Sequence, residues 1–158
     1  MQTFLPYDDF HEVASVLDSK RLNKQLLEGR QILSALAGIS KGWRNHPATK
    51  MWAGSEGILH RYLFAIAQEC KVRGIKYDKN MEAIDDICYQ HFNDISVNSR
   101  PFWMKDKTIL SRITTTHQAN LYLKDSYEYA MFQSAYDDIL NDPCCEGCKY
   151  YWPTHVGR

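Results

Sequence analysis

Apolar residues along this chain recur mostly at intervals of three and four, the spacing of one helix face, and strand-like alternation is nearly absent. Asp8 or Asp9 is placed to cap a short helix running to about Leu17. Ser19 opens a second helix, in which Leu22, Leu26, Gly29, Leu33 and Leu36 form one stripe and Gly38 ends the run. The stretch Gly42–Pro47 reads as a turn. Pro47 suits the first position of a third helix, with Asn45 or His46 near its cap. That helix carries Trp52, Leu59, Tyr62, Leu63, Ile66 and Cys70 inward and stops at Gly74. A fourth, from Asn80 to about Asp94, buries Met81, Ile84, Cys88 and either Phe92 or His91, and a loop through Arg100–Trp103 follows. Two more helices are expected, from Ile109 to Leu123 and after the capping-box pattern Asp125-x-x-Glu128. Pro143 begins an irregular tail. The pattern predicts an all-α fold, a compact single-domain helical bundle of about five to six helices over 1–158 with residues 143–158 as tail.

Composition narrows this further. A length of 158 residues suits one domain, and 13% aromatic residues with zero net charge argue for a packed fold rather than disorder. The longest uncharged apolar run, Tyr62–Ala67, falls far short of the ~20 residues that span a bilayer. The first ten residues lack a basic segment and carry two aspartates, unlike a signal peptide. The expectation is a soluble, cytoplasmic protein without a membrane partner. Cys70 and Cys88 lie on apolar helix faces and read as core.

The charges are unevenly placed. Between Lys20 and Lys50 stand Lys20, Arg21, Lys24, Arg30, Lys41, Arg44 and Lys50, with Glu28 the one acid, a local balance of +6. Such clustering is what a phosphate-binding surface requires; the alternative is a solvated face balanced in space by the acidic segments 78–94 and 125–146.

Four constellations along the chain can carry chemistry. Arg21, Lys24, Glu28 and Gln31 fall in one stripe of the second helix, bordering its apolar face. A carboxylate among cations there can stabilise an oxocarbenium-like sugar or move protons at C1′ while the cations hold flanking phosphates; equally, Lys24–Glu28 is an ordinary helix pair. Trp43-Arg44-Asn45-His46-Pro47 offers an anion site at a helix start, or simply a capped helix with Trp43 packed beneath. Cys145-x-x-Cys148 with His155 matches part of a zinc set, although free cysteines fit equally well. Tyr150-Tyr151-Trp152 either stacks on bases or pins the tail to the core. His117, next to three threonines, has no partner that spacing identifies.

Several segments together resemble a known family. Leu17-Asp18-x-Lys20-Arg21-Leu22, Glu28-Gly29, Arg44-Asn45-His46-Pro47 and Ala67-Gln68-Glu69-Cys70-Lys71-x-Arg73-Gly74 are similar, in this order, to the pyrimidine dimer DNA glycosylases, whose best-known member is a phage thymine-dimer endonuclease. The likeness continues through His117-Gln118-Ala119-Asn120-Leu121 and Tyr127–Phe132. It implies an all-α enzyme acting on DNA without metal or cofactor. In that chemistry the N-terminal α-amine attacks C1′ of the damaged nucleotide, the base leaves, and β-elimination from the imine cuts the strand with help from a glutamate. An α-amine suits the task because its pKa of about 8 leaves neutral amine at physiological pH.

Glu28 falls on the family's catalytic glutamate and Met1 supplies the amine, since Gln2 is too large for the usual trimming of the initiator. Arg21 stands where the phage enzyme has a histidine, and Leu27 and Gln31 where it has DNA-contacting arginines. Lys20, Lys24 and Arg30, with Arg44, Asn45 and His46, are the expected phosphate contacts. Three outcomes stay open: Met1 as nucleophile, Glu28 activating water in a glycosylase without lyase activity, or a fold that has lost its chemistry and only binds DNA. A helical module binding a nucleotide or another phosphate ligand is a further class compatible with these residues.

Overall fold

A computed structural model describes residues 2–92, 100–142 and 149–154. Its helices are α1 (Phe10–Val16), α2 (Ser19–Leu36), α3 (Pro47–Trp52), α4 (Glu56–Val72), α5 (Asp78–His91), α6 (Phe102–Lys105), α7 (Lys107–Lys124) and α8 (Gln133–Asn141), with a 3-10 turn at Ala130–Phe132. No strand occurs among the described residues. The all-α expectation holds, with eight helices among the described residues in place of five or six.

Most boundaries have local causes. Asp9 accepts the amides of His11 and Glu12 at 2.8 and 2.9 Å, Asp18 that of Arg21 at 2.9 Å, and Asp106 those of Thr108 and Ile109 at 2.9 and 3.1 Å. The helix expected over 47–74 is instead two. Gly54, at φ +76°, turns the chain between α3 and α4 in a conformation that side chains resist. The loop expected at 100–103 contains the start of α6, whose four residues are too few to show a period. Asp125 Oδ1 does take the Glu128 amide at 3.0 Å, yet the α-helix begins only at Gln133, after the 3-10 turn. The tail expected from Pro143 lies largely outside the described residues.

α2 and α4 cross at the centre, with α1 against α4 and α5 against α2. The crossing is close because position 29 lacks a side chain: a Cβ there would lie 2.2 Å from Leu63 Cδ2. Leu22, Leu26, Ile32, Leu33, Trp52, Leu59, Tyr62, Leu63 and Trp103 are fully buried around it. Cys70 and Cys88 lie in this core as expected, and burial pushes each thiol up to about 11, so both stay protonated at neutral pH.

One buried stretch has no regular structure. Residues Gln2–Leu5 run through the interior without helix or strand. Such a segment needs partners for its backbone, and side chains provide them. Gln25 takes the Phe4 amide at 2.9 Å and His117 Nδ1 the Leu5 amide at 2.8 Å, while the single hydrogen of the Tyr62 hydroxyl is shared between Gln25 Oε1 at 2.6 Å and Phe4 O at 3.1 Å. Gln118 donates to Pro6 O at 2.7 Å, and Trp52 Nε1 to Thr3 Oγ1 at 2.9 Å.

Candidate active site around Glu28

The threaded segment ends against α2. The backbone amide of Gln2 donates to Glu28 Oε2 at 3.0 Å, and Lys24 Nζ stands 3.6 Å from Oε1. The pair is lopsided, since the Lys24 side chain is 64% exposed and that of Glu28 only 8%. This carboxylate therefore points inward, unlike one in an ordinary surface pair, and it faces a cavity of about 410 Å3. Gln2, Phe4 and Tyr150 wall the cavity, and Lys20, Arg21, Lys24 and Lys124 supply its basic rim. A second depression beside it shares Lys20, Arg21 and Lys124 and adds Arg73, but also Asp18, Asp125 and Glu128, so it is of mixed charge.

Arg21 is held rather than loose. Its guanidinium pairs with Asp18 and lies 5.2 Å above the centre of the Tyr129 ring. Tyr129 donates to the same Asp18 carboxylate at 2.6 Å. Burial alone would raise the Asp18 carboxyl, but hydrogen bonds from Tyr129 and Arg21 outweigh it and hold the group below its usual range. Burial pushes the Tyr129 phenol well up, so it remains a donor.

His117 is completely buried, and burial pulls its imidazole down to about 3, which keeps it neutral. Because Nδ1 accepts from Leu5, the proton sits on Nε2, 3.1 Å from the Gln2 side-chain nitrogen. A half-turn of that amide brings its oxygen to the proton and gives Gln2 Oε1, otherwise without a partner, its hydrogen bond. Tyr150 packs edge-on against His117 at 5.2 Å, and Trp152 against His46 at 5.7 Å. These rings pin the tail to the core, the second of the two roles open to the Tyr150–Trp152 trio.

The other candidates lie apart. Arg30 is two residues beyond Glu28, on a different face of α2, and is not among the residues of the cavity. Arg44 and Asn45 are exposed in the turn before α3. His46 itself accepts the Ala48 amide at 3.1 Å and stacks edge-on with Trp43 at 5.3 Å, so the turn is occupied by its own cap. Burial pulls the His46 imidazole down, while the charge of Glu28 opposes that shift. Met1, Cys145, Cys148 and His155 lie outside the described residues. Among the described residues no three His, Cys, Asp or Glu side chains are grouped to hold a metal, and no helix is long and apolar enough to cross a membrane.

A family model described as pyrimidine dimer DNA glycosylase matches residues 1–85, which include the threaded segment, Glu28 and the α2–α4 crossing. The chain belongs to the pyrimidine dimer DNA glycosylase family. Comparison with curated proteins and with solved structures finds no match. For this glycosylase-family chain, the contributions from beyond residue 85 are His117, Lys124, Tyr129 and Tyr150. Spacing gave no sign of Lys124. His117 and Gln25 each carry a weak signal, a polar residue on an otherwise apolar helix face.

Proposed function

We propose that this protein is a DNA glycosylase that removes a damaged or modified pyrimidine, with the Glu28 cavity as its reaction centre. The observation that carries this reading is the 3.0 Å hydrogen bond from the Gln2 amide to Glu28, because it sets residue 2 beside a nearly buried carboxylate. A volume of about 410 Å3 lies within the roughly 300–1,000 Å3 of small-ligand pockets, room for an extruded nucleotide. Lys20, Lys24 and Lys124 hold the flanking phosphates, and Arg21, fixed by Asp18 and Tyr129, presents a rigid cation at the rim.

On this reading the nucleophile is the amine rather than water. The Met1 amine is one residue along the chain from the Gln2 amide. Its nitrogen bonds to C1′ as the glycosidic bond breaks, and the base departs with that bonding pair and a proton. Opening of the sugar at C1′–O4′ then gives the imine. Glu28 accepts the proton released from the amine and returns it to O4′ as the ring opens, so that the carboxylate, ionised again, takes the next proton from C2′; the departing base draws its proton from solvent. Loss of the 3′ phosphate follows and cuts the strand.

A panel of duplexes bearing pyrimidine dimers or other modified pyrimidines, scored separately for base release and nicking, tests this reading. Borohydride added during turnover is expected to trap a protein–DNA adduct on the N-terminal peptide. Base release without any adduct would replace the amine by a Glu28-activated water. Salt-dependent binding with no base release from the whole panel would leave a DNA-binding module in place of an enzyme.

A further inference from the structure

Gln25 sits one turn before Glu28 on α2, is completely buried, and has all its amide valences engaged. Its oxygen accepts the Phe4 amide at 2.9 Å and the Tyr62 hydroxyl at 2.6 Å. Its nitrogen donates to Gln2 O at 3.1 Å and faces Glu28 Oε2 at 3.5 Å. The orientation of this amide follows from its neighbours, because a backbone N–H can only donate and a backbone carbonyl can only accept. One side chain thus grips the threaded segment at residues 2 and 4 and meets the carboxylate that the same segment caps.

We propose that Gln25 is a positioning residue, whose amide couples the register of the N-terminal segment to the orientation of the Glu28 carboxylate. This rests on the assignment of Glu28 to the reaction. Glutamine suits the position by its chemistry. Asparagine is one methylene too short to reach both partners from the same backbone site. A glutamate would turn an acceptor oxygen toward Gln2 O and toward Glu28, replacing two attractions by two repulsions. Tyr62 fixes the oxygen end from α4; burial pushes its phenol well up, so it stays a donor at all working pH values.

Two measurements test this. In the protein labelled with nitrogen-15, the Gln25 side-chain NH2 resonances are expected to shift as Glu28 titrates and to lose that shift in Glu28→Gln. Resonances that stay still through the Glu28 titration would overturn the coupling. This readout needs neither an active enzyme nor a Gln25 variant, so it remains decisive if no lesion is ever processed. In Gln25→Glu, single-turnover base release at pH 8 is expected to fall about 100-fold while DNA affinity stays within about threefold. The deficit relative to the unaltered protein is expected to shrink as pH falls, because the protonated acid again offers a hydrogen where the amide did. A merely structural glutamine would give a deficit independent of pH, and an unchanged rate would equally end the proposal. If Gln25→Glu does not fold, the NH2 resonances alone decide.

Discussion

Two polar clusters share the basic segment between Lys20 and Lys50, and they are built in opposite ways. At Glu28 the polar groups turn inward: the carboxylate is 8% exposed, and the N-terminal segment beside it is held by Gln25, Tyr62 and His117. At the turn before α3, Arg44 and Asn45 face solvent, and His46 spends its ring nitrogen on capping its own helix. Charge density is similar in the two places, so charge alone does not mark a site. The difference lies in desolvation. A buried polar group must be matched by partners, and matching fixes geometry, whereas exposed groups are satisfied by water in many geometries.

The largest effect that tests this contrast is in the response to acid. His117 titrates near 3 when folded and near 6.5 when unfolded, so its neutral form stabilises the fold fully above about 6.5. That stability is lost as pH falls from about 6.5 toward 3, on the order of 4 kcal/mol over the range. Urea unfolding at stepped pH is expected to show a steeper loss for the unaltered protein than for His117→Gln. In contrast, His46→Gln is expected to change the slope little. Equal slopes for the unaltered protein and His117→Gln would mean that the threaded segment is not held by a neutral imidazole.

Packing gives the next contrast. Gly29→Ala puts a methyl group into Leu63 and is expected to destabilise by about 2 kcal/mol, read as a lower thermal midpoint. Gly42→Ala, in the open turn with nothing nearer than Ser40 Oγ at 3.9 Å, is expected to change stability by less than about 0.5 kcal/mol. The smallest effects concern the cations. Lys24→Ala is expected to alter stability by no more than a few tenths of a kcal/mol, yet to lower the salt dependence of DNA binding by about one unit of slope, as is Lys124→Ala. Arg44→Ala serves as the comparison and is expected to change that slope less; an equal or larger change would bring the turn back into the DNA interface.

Much of the fold was legible in the sequence because amphipathic helices of four or five turns repeat their period often enough to be seen. α2, α5 and α7 fall close to their expected limits for that reason. α6 has four residues and α3 six, too few turns for a pattern, and the break at Gly54 was hidden inside a continuous apolar stripe. Glu28 could be singled out as the lone acid among cations. Its surroundings could not, because Gln2, Lys124 and Tyr150, which meet it or line its cavity, lie far from it along the chain. The irregular run of Gln2–Leu5 showed neither period, and its burial depends on side chains from four different helices.

The central claim is that the inward-facing carboxylate on α2 does chemistry and does not merely hold the N-terminal segment. Single-turnover base release by Glu28→Gln, with DNA affinity measured on the same duplex, tests it most directly. The rate is expected to fall at least about 1,000-fold, with affinity changed by less than about threefold. A folded Glu28→Gln protein that releases the base at the original rate would contradict it.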